Sequence, residues 1–215
     1  MHTVLRSQWR GYLSEILSDD VRSICQNKLD YLVKTNILLG AAIYQWNQNL
    51  FVYLESIDVP VFPQESLEEL NPFLSQWPGS DKARNWIEMI DVFHFNEPQS
   101  LSHWERKSPV ESRVGKIGLL KPDMVASYIY YHYGLQEERT FSGDKYEIIA
   151  LHENILFGYF EYPAVCEEPF HKPRLTSKSM PEDWSQACIP DHFYRWSNFD
   201  RSLLPMKLWV SSWKI

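Results

Sequence analysis

The sequence has few glycines and cysteines, and it lacks the short motifs that mark several common enzyme classes. Only 8 of its 215 residues are glycine and only 3 are cysteine. An odd number of cysteines without metal-ligand spacing does not form a disulfide framework and fits a reducing compartment. No Gly-rich phosphate loop, nucleophile elbow or zinc motif occurs, so the patterns that announce those sites are missing.

Basic excess and long apolar runs are also lacking. The formal net charge is −7, and no basic stripe is present that could neutralise phosphates, which argues against a nucleic-acid partner. No run of 18 apolar residues occurs, and no charged start followed by an apolar signal core is visible. We therefore expect a soluble, cytoplasmic protein without a membrane partner.

Aromatic residues, in contrast, are abundant, with nine Trp, twelve Tyr and eleven Phe. Aromatic side chains bury large apolar areas, so many of these must line a core, an interface between domains or a pocket. The aromatic excess thus predicts more buried surface than one small core requires.

One predicted helix, over residues 122–134, carries two side chains that could transfer protons. Pro122 and Asp123 provide a helix-start signal, and Tyr128 and His132 fall four residues apart on one helix face. A phenol beside an imidazole can transfer protons near neutral pH. The alternative is an aromatic helix face packed on a sheet, with the histidine satisfied by a neighbouring oxygen.

Both halves of the chain show the same order of elements: strand, helix, hairpin, helix, strand. The hairpins correspond in sequence, since residues 41–55 parallel residues 146–161 and both end in an aromatic-rich strand with Glu. The late segments 84–94 and 195–205 also correspond. The predicted elements of the first half are a strand at 4–13, a helix at 17–36, strands at 37–46 and 49–57, helices at 66–74 and 80–90, and a closing strand at 91–95. Those of the second half are a strand at 115–121, the helix at 122–134, a hairpin at 145–162, helical runs around Trp184 and at 193–199, and a closing strand at 206–213.

This pattern predicts an α+β fold made of two ferredoxin-like units fused in tandem. The units are expected at residues 1–97 and 112–215, joined by a polar, proline-containing linker at 96–113. Burying the open sheet face of one unit against the other would use up much of the aromatic excess. The chain is thus expected to form an intramolecular pseudo-dimer, either monomeric or paired further as a homodimer.

The second half resembles the L-rhamnose mutarotase family over roughly residues 115–210. Its Pro-Asp-x4-Tyr-x3-His run is met by residues 122–132, and its hairpin motif by Tyr146 and residues 154–158. Its Arg-Trp-Trp segment is met by Arg195 and Trp196, with Pro205 ten positions after the Arg, and Glu161 matches the Glu that closes the hairpin. Ser197 stands where the family has its second Trp, and residues 163–183 form an insertion.

The resemblance implies a dimeric α+β barrel and an enzyme that interconverts the anomers of a sugar without cofactor or metal. It implies catalytic roles for His132, Tyr128 and Tyr146. The substrate-binding residues that it implies are Trp196, Arg195 and, in the first half, Trp86. The partner would be a small sugar, with deoxy sugars favoured by an aromatic wall.

The first half keeps the architecture but not the chemistry. Arg84 and Trp86 match the family's Arg and second Trp, but Ile24 or Cys25 replaces the helix Tyr, Lys28 or Leu29 replaces the His, and Ala41 replaces the hairpin Tyr. The chain is therefore expected to be a fusion of two units in which the second unit has the site. Two other functions share this architecture, namely a ligand-binding or regulatory module without turnover and a cofactorless monooxygenase-like protein.

Overall fold

In the computed structural model, the described residues are 2–79, 82–178, 180–181, 184–196 and 202–214. They form a mixed α+β fold whose sheets are antiparallel. The strands are β1 Val4–Tyr12, β2 Leu38–Trp46, β3 Asn49–Ile57, β4 Trp86–Glu88, β5 Ile90–His94, β6 Ser112–Leu119, β7 Gly143–Asp144, β8 Ile148–His152, β9 Ile155–Tyr162, β10 Cys166–Glu167, β11 Leu204–Pro205 and β12 Lys207–Trp213. The helices are α1 Asp19–Lys34, α2 Pro63–Ser66, α3 Leu101–Trp104 and α4 Val125–Glu138.

Each of the two compact units contains a five-stranded sheet with a ferredoxin-like core. The first sheet has the order β12-β2-β3-β1-β4, and the second has the order β11-β6-β9-β8-β5. Strand β1 lies between β3 and β4 in the first sheet, and β6 lies between β9 and β11 in the second. This is the order of a β-α-β-β repeat closed by a fourth strand. A fifth strand is added beside the first hairpin strand.

The fifth strands come from unexpected places in the chain. Strand β5 follows the first repeat but pairs with β8, while β12 ends the second repeat but pairs with β2. The compact units are therefore discontinuous: one comprises residues 1–89, 98–109 and 206–215, and the other residues 90–97 and 110–205. The closing strands expected at 91–95 and 206–213 thus exist, but each extends the sheet of the other sequence repeat.

The first crossing helices follow from sequence signals. Helix α1 begins after Ser18, whose side chain accepts a hydrogen bond from the Val21 N–H, and Asp19 and Asp20 lie in its first turn; acidic side chains there oppose the positive end of the helix. Helix α4 follows a 3₁₀ turn at Pro122–Met124, and no side chain caps it. The capping role expected for Asp123 is therefore absent, and the helix runs to Glu138 rather than 134.

Both hairpins form as predicted. The turns fall at Asn47-Gln48 and Glu153-Asn154, and the first residue of each has a positive φ, 50° at Asn47 and 56° at Glu153. Two-residue turns of this hand match the twist of the flanking strands. Strands β3 and β9 therefore occupy equivalent positions, with Tyr53 corresponding to Tyr159.

The second crossing helices are not formed as predicted in the described residues. Residues 63–73 form α2 and a 3₁₀ helix, Glu68–Phe73, that contains Pro72; proline lacks the N–H that a continuous helix needs. The helix predicted at 80–90 is wrong, because Trp86–Glu88 pairs with β1. Trp86 packs over Gly11, where a Cβ would lie 2.9 Å from its ring. In the second unit, the helical run predicted around Trp184 is a 3₁₀ helix, Trp184–Ala187, and a further 3₁₀ helix follows at Ile189–His192. Of the run predicted at 193–199, residues 193–196 are not helical and residues 197–199 lie outside the described part.

The segment predicted as a linker is partly built into the first unit. Trp104 in α3 is fully buried, and its indole N–H donates to the Glu55 carboxylate at 2.9 Å. Arg106 donates to the same carboxylate at 2.5 and 2.8 Å, and the Tyr53 hydroxyl donates at 2.6 Å. Burial alone would raise the pKa of Glu55, but these contacts outweigh it and lower the pKa. The polar segment 96–113 therefore contributes Arg106 to a buried ion pair with Glu55.

Candidate functional site

Helix α4 places Tyr128 and His132 on its buried face, as the four-residue spacing predicts. Their rings are stacked, with centroids 3.8 Å apart and an interplanar angle of 26°. Tyr128 belongs to an apolar cluster that also includes Phe93, Ile149 and Leu156. Tyr128 thus lies between the helix and the sheet of the second unit, with His132 against its ring.

The hydrogen bond of His132 fixes its tautomer. The Nδ1 atom lies 3.0 Å from the carbonyl oxygen of Tyr128; a carbonyl only accepts, so Nδ1 carries the proton and Nε2 carries a lone pair. No side chain among the described residues donates to Nε2. Burial, together with the charge of His192, lowers the pKa of His132 to about 4 against the opposing effect of that hydrogen bond. The imidazole is therefore neutral at pH 7 and can accept a proton at Nε2.

A carboxyl group that the sequence analysis did not select interacts electrostatically with Tyr128. Glu147 precedes β8, and two and four residues later come Ile149 and Leu151, which share the apolar cluster of Tyr128. Burial and the charge of Asp144 raise the pKa of Glu147 to about 7, although Lys116 acts in the opposite direction. Burial and then the charge of Glu147 raise the pKa of the Tyr128 phenol. Glu147 is therefore near enough to Tyr128 to interact with it electrostatically.

Aromatic edges surround His132. The rings of Trp184 and Phe93 meet it nearly at right angles, at centroid distances of 5.4 and 5.8 Å. Trp184 also lines an open cavity of about 470 Å³, which is the size of a small-molecule site. The other residues lining this cavity are Gly134, Leu135, Glu138, Arg139, Thr140, Phe141, Met180 and Pro181. One indole therefore connects the buried histidine with a surface cavity.

A second histidine approaches the same helix from the 3₁₀ turn Ile189–His192. His192 is buried, and its Nε2 atom lies 2.8 Å from the Ser127 hydroxyl oxygen. Its ring meets those of Tyr128 and Tyr131 at 6.4 and 6.0 Å. Two histidines are thus bonded to neighbouring residues of α4: His192 to the Ser127 hydroxyl and His132 to the Tyr128 carbonyl.

The remaining predicted site residues lie in other surroundings. Tyr146 is buried in a turn, where its N–H donates to Asp144, and it is not in the cluster of Tyr128. Trp196 is half-buried and its indole N–H donates to the Ser202 carbonyl at 3.3 Å, while Arg195 is exposed. Trp86 is buried in the core of the first unit, with its indole N–H bonded to Asn71. Ser197 lies outside the described residues.

Of the site residues that the sequence analysis missed, Glu147 could have been found from a sequence pattern, and Trp184 and His192 could not. The alternation that places Ile149 and Leu151 toward the helix extends back to Glu147, so an acidic residue on an apolar face was visible. Trp184 and His192 lie in irregular 3₁₀ turns, where no periodicity exists to assign a direction to a side chain. Their convergence on α4 is a product of the tertiary fold.

The chemistry open to this arrangement is proton transfer. It combines a neutral imidazole, a carboxyl group with a pKa near 7 and a wall of aromatic rings. The described part of the chain contains no group of three or more His, Cys, Asp or Glu side chains that could hold a metal ion. None of the helices in that part is long and apolar enough to cross a bilayer.

Comparisons with known proteins assign no family to the chain. No protein-family model matches the chain, and no curated protein matches it. A crystal structure of an anthrone oxidase-like protein is similar over 97% of this chain and 95% of that chain, with 6% sequence identity and a TM-score of 0.37. The α+β assignment therefore stands on the strand order described above.

Proposed function

We propose that the second unit interconverts the anomers of a small sugar by cofactor-free acid–base catalysis, with His132 as base and Glu147 as acid. The proposal rests on two unlike proton carriers that both act on Tyr128: His132 stacks on its ring, and the charge of Glu147 raises the pKa of its phenol after burial. His132 is neutral with a lone pair on Nε2, whereas the Glu147 carboxyl, with a pKa near 7, is partly protonated at the same pH.

Anomer exchange requires these two roles. The base removes the proton of the anomeric hydroxyl, the acid protonates the ring oxygen, and the bond between the ring oxygen and the anomeric carbon breaks to give the open aldehyde. Rotation about the adjacent carbon–carbon bond followed by the reverse steps closes the other anomer. The Glu147 carboxyl, whose pKa lies at about 7, can both give and take a proton near neutral pH.

The aromatic surroundings suit the remaining surface of such a substrate. A pyranose has apolar C–H faces that pack on aromatic rings, and Trp184 presents a ring between His132 and the open cavity. Because Nδ1 of His132 is held by the Tyr128 carbonyl, the ring cannot turn without losing that bond. Tyr128 therefore acts as a positioning residue for the base.

A second candidate is ligand binding without turnover. It is favoured by the burial of both rings, since a stacked histidine bonded to its own helix backbone is also a stable core arrangement. In that case the cavity beside Trp184 would bind a ligand while His132 contributes only to packing.

Exchange spectroscopy separates these candidates. Magnetisation transfer between the anomeric proton signals of rhamnose, fucose and uronic acids should be faster with the protein than without it. His132→Gln and Glu147→Gln should each lower this enhancement at least tenfold. Exposed residues of the same types provide controls, and His171→Gln and Glu153→Gln should exchange as the wild type does. Sugar binding by the wild type without any faster exchange would favour the second candidate.

A further inference from the structure

Ser127 and His192 form a pair whose geometry is that of a nucleophile with its base. The hydroxyl oxygen of Ser127 lies 2.8 Å from Nε2 of His192, and the Nδ1 atom of the same ring lies 3.3 Å from the Cys188 carbonyl oxygen. The carbonyl has only lone pairs, so Nδ1 carries the ring proton. Nε2 must then accept, which means that the Ser127 hydroxyl donates its proton toward the imidazole.

The base is held more firmly than a surface histidine would be. The His192 carbonyl accepts a hydrogen bond from the Lys121 N–H at 2.8 Å, which ties the 3₁₀ turn to the start of the helix. The edges of Tyr128 and Tyr131 flank its ring. The base therefore keeps its orientation toward Ser127, as the third member of a catalytic triad ensures in serine hydrolases.

The two groups also differ in access. His192 is buried, whereas Ser127 is partly exposed in the first turn of α4. Of the two residues, the serine is therefore the one that solvent, and with it a substrate, can reach. Neither residue is used in the proton transfer assigned to His132 and Glu147.

We propose that Ser127, activated by His192, is a nucleophile that accepts an acyl group from a small activated ester. The Ser127 oxygen bonds to the carbonyl carbon as its proton passes to Nε2, and the bond to the leaving alcohol or phenol breaks as that group takes the proton from Nε2. Water then attacks the acyl-serine, loses a proton to Nε2, and Ser127 regains it as the acid departs.

Covalent labelling of the 215-residue protein with a fluorophosphonate tests this proposal. The fluorophosphonate should form one adduct, located by peptide mass spectrometry at Ser127, and p-nitrophenyl acetate should release phenolate with a stoichiometric burst. Ser127→Ala should abolish both, and His192→Gln should slow labelling at least tenfold. Ser142→Ala provides a matched control, because the Ser142 hydroxyl donates to the Glu168 carboxylate instead of an imidazole.

The result does not depend on anomer exchange. An adduct at Ser127 that requires His192 supports the nucleophile even if no sugar is turned over. No adduct on the folded wild type, an adduct at another residue, or an unchanged labelling rate in His192→Gln would each overturn it. Thermal melting of His192→Gln shows whether the variant is folded, and if it is not, the wild-type and Ser127→Ala results decide.

Discussion

The ring of Tyr128 stacks on the ring of His132 at 3.8 Å, while the Tyr128 carbonyl holds the Nδ1 proton of the same histidine. One tyrosine therefore positions the histidine twice, through its side chain and through its backbone. Only the first of these contacts can be changed by substitution, which makes the two contributions separable.

Tyr128→Phe should keep the stack and cost less than about 1 kcal/mol in free energy of unfolding, whereas Tyr128→Ala should cost about 3–5 kcal/mol because it empties a fully buried aromatic site. Urea titration measures both. A loss in Tyr128→Phe as large as that in Tyr128→Ala would show that the hydroxyl, and not the ring, carries the contribution.

The stability of the protein should depend on pH in opposite ways through Glu147 and His132. The folded state raises the pKa of Glu147 from 4.5 to about 7, so the unfolded chain releases this proton first and stability falls as pH rises through that range. The folded state lowers the pKa of His132 from 6.5 to about 4, so the unfolded chain takes up this proton first and stability falls as pH decreases.

Between pH 4.5 and 6.5 these two slopes oppose each other in the wild type. Relative to the wild type, His132→Gln should therefore lose stability more steeply as pH rises, and Glu147→Gln should gain it, by up to about 3 kcal/mol across the range. Urea unfolding at several pH values gives the slopes, and His171→Gln should follow the wild type. Parallel curves for all four proteins would refute the pKa assignments.

Removing Arg106 should be strongly destabilising because Glu55 would then remain as a buried, uncompensated charge. Arg106→Met should cost about 3–5 kcal/mol, and adding Glu55→Gln should restore much of the loss. Lys214→Met is the control, since Lys214 pairs with Glu105 at 3.6 Å in a partly exposed position and should cost less than about 1 kcal/mol. Equal losses for Arg106→Met and Lys214→Met would contradict the buried network.

Gly40 is required by the approach of Trp213 to β2. A Cβ at this position would lie 1.9 Å from Cε3 of the indole, so Gly40→Ala should destabilise the protein by about 1–3 kcal/mol. The same substitution made in a Trp213→Leu background should cost less, because the smaller side chain leaves room. A double-mutant cycle by urea unfolding measures this coupling, and simple additivity would argue against it.

The sequence predicts the regular part of each unit because local signals and packing agree there. The spacing of Tyr53 and Glu55, repeated as Tyr159 and Glu161, marks equivalent strands, and the Tyr53 and Tyr159 hydroxyls each donate to their Glu at 2.6 Å. The pairing of each closing strand with the sheet of the other repeat could not be predicted from such local signals. Strands β5 and β12 fit either sheet by pattern alone, since strand pairing is decided by contacts distant in the chain.

The candidate site was predicted in its helical half only. Helical spacing puts Tyr128 and His132 on one face, and the structure places their rings in contact. Glu147 can be recognised in the sequence as an acidic residue on the apolar face of a strand, whereas Trp184 and His192 lie in irregular 3₁₀ turns, where the direction of a side chain depends on tertiary packing. The sequence thus indicated the helix and its histidine but not the approach of Trp184 and His192.

Exchange between anomers, measured by NMR with the purified wild-type protein and its Glu147→Gln variant, tests the proposed function most directly. We expect exchange of at least one sugar well above the spontaneous rate, lowered at least tenfold in Glu147→Gln while Glu153→Gln retains the wild-type rate. Exchange in Glu147→Gln at the wild-type rate would contradict the assignment of Glu147 as the acid. No enhancement by the wild type for any of the sugars would contradict the proposed activity.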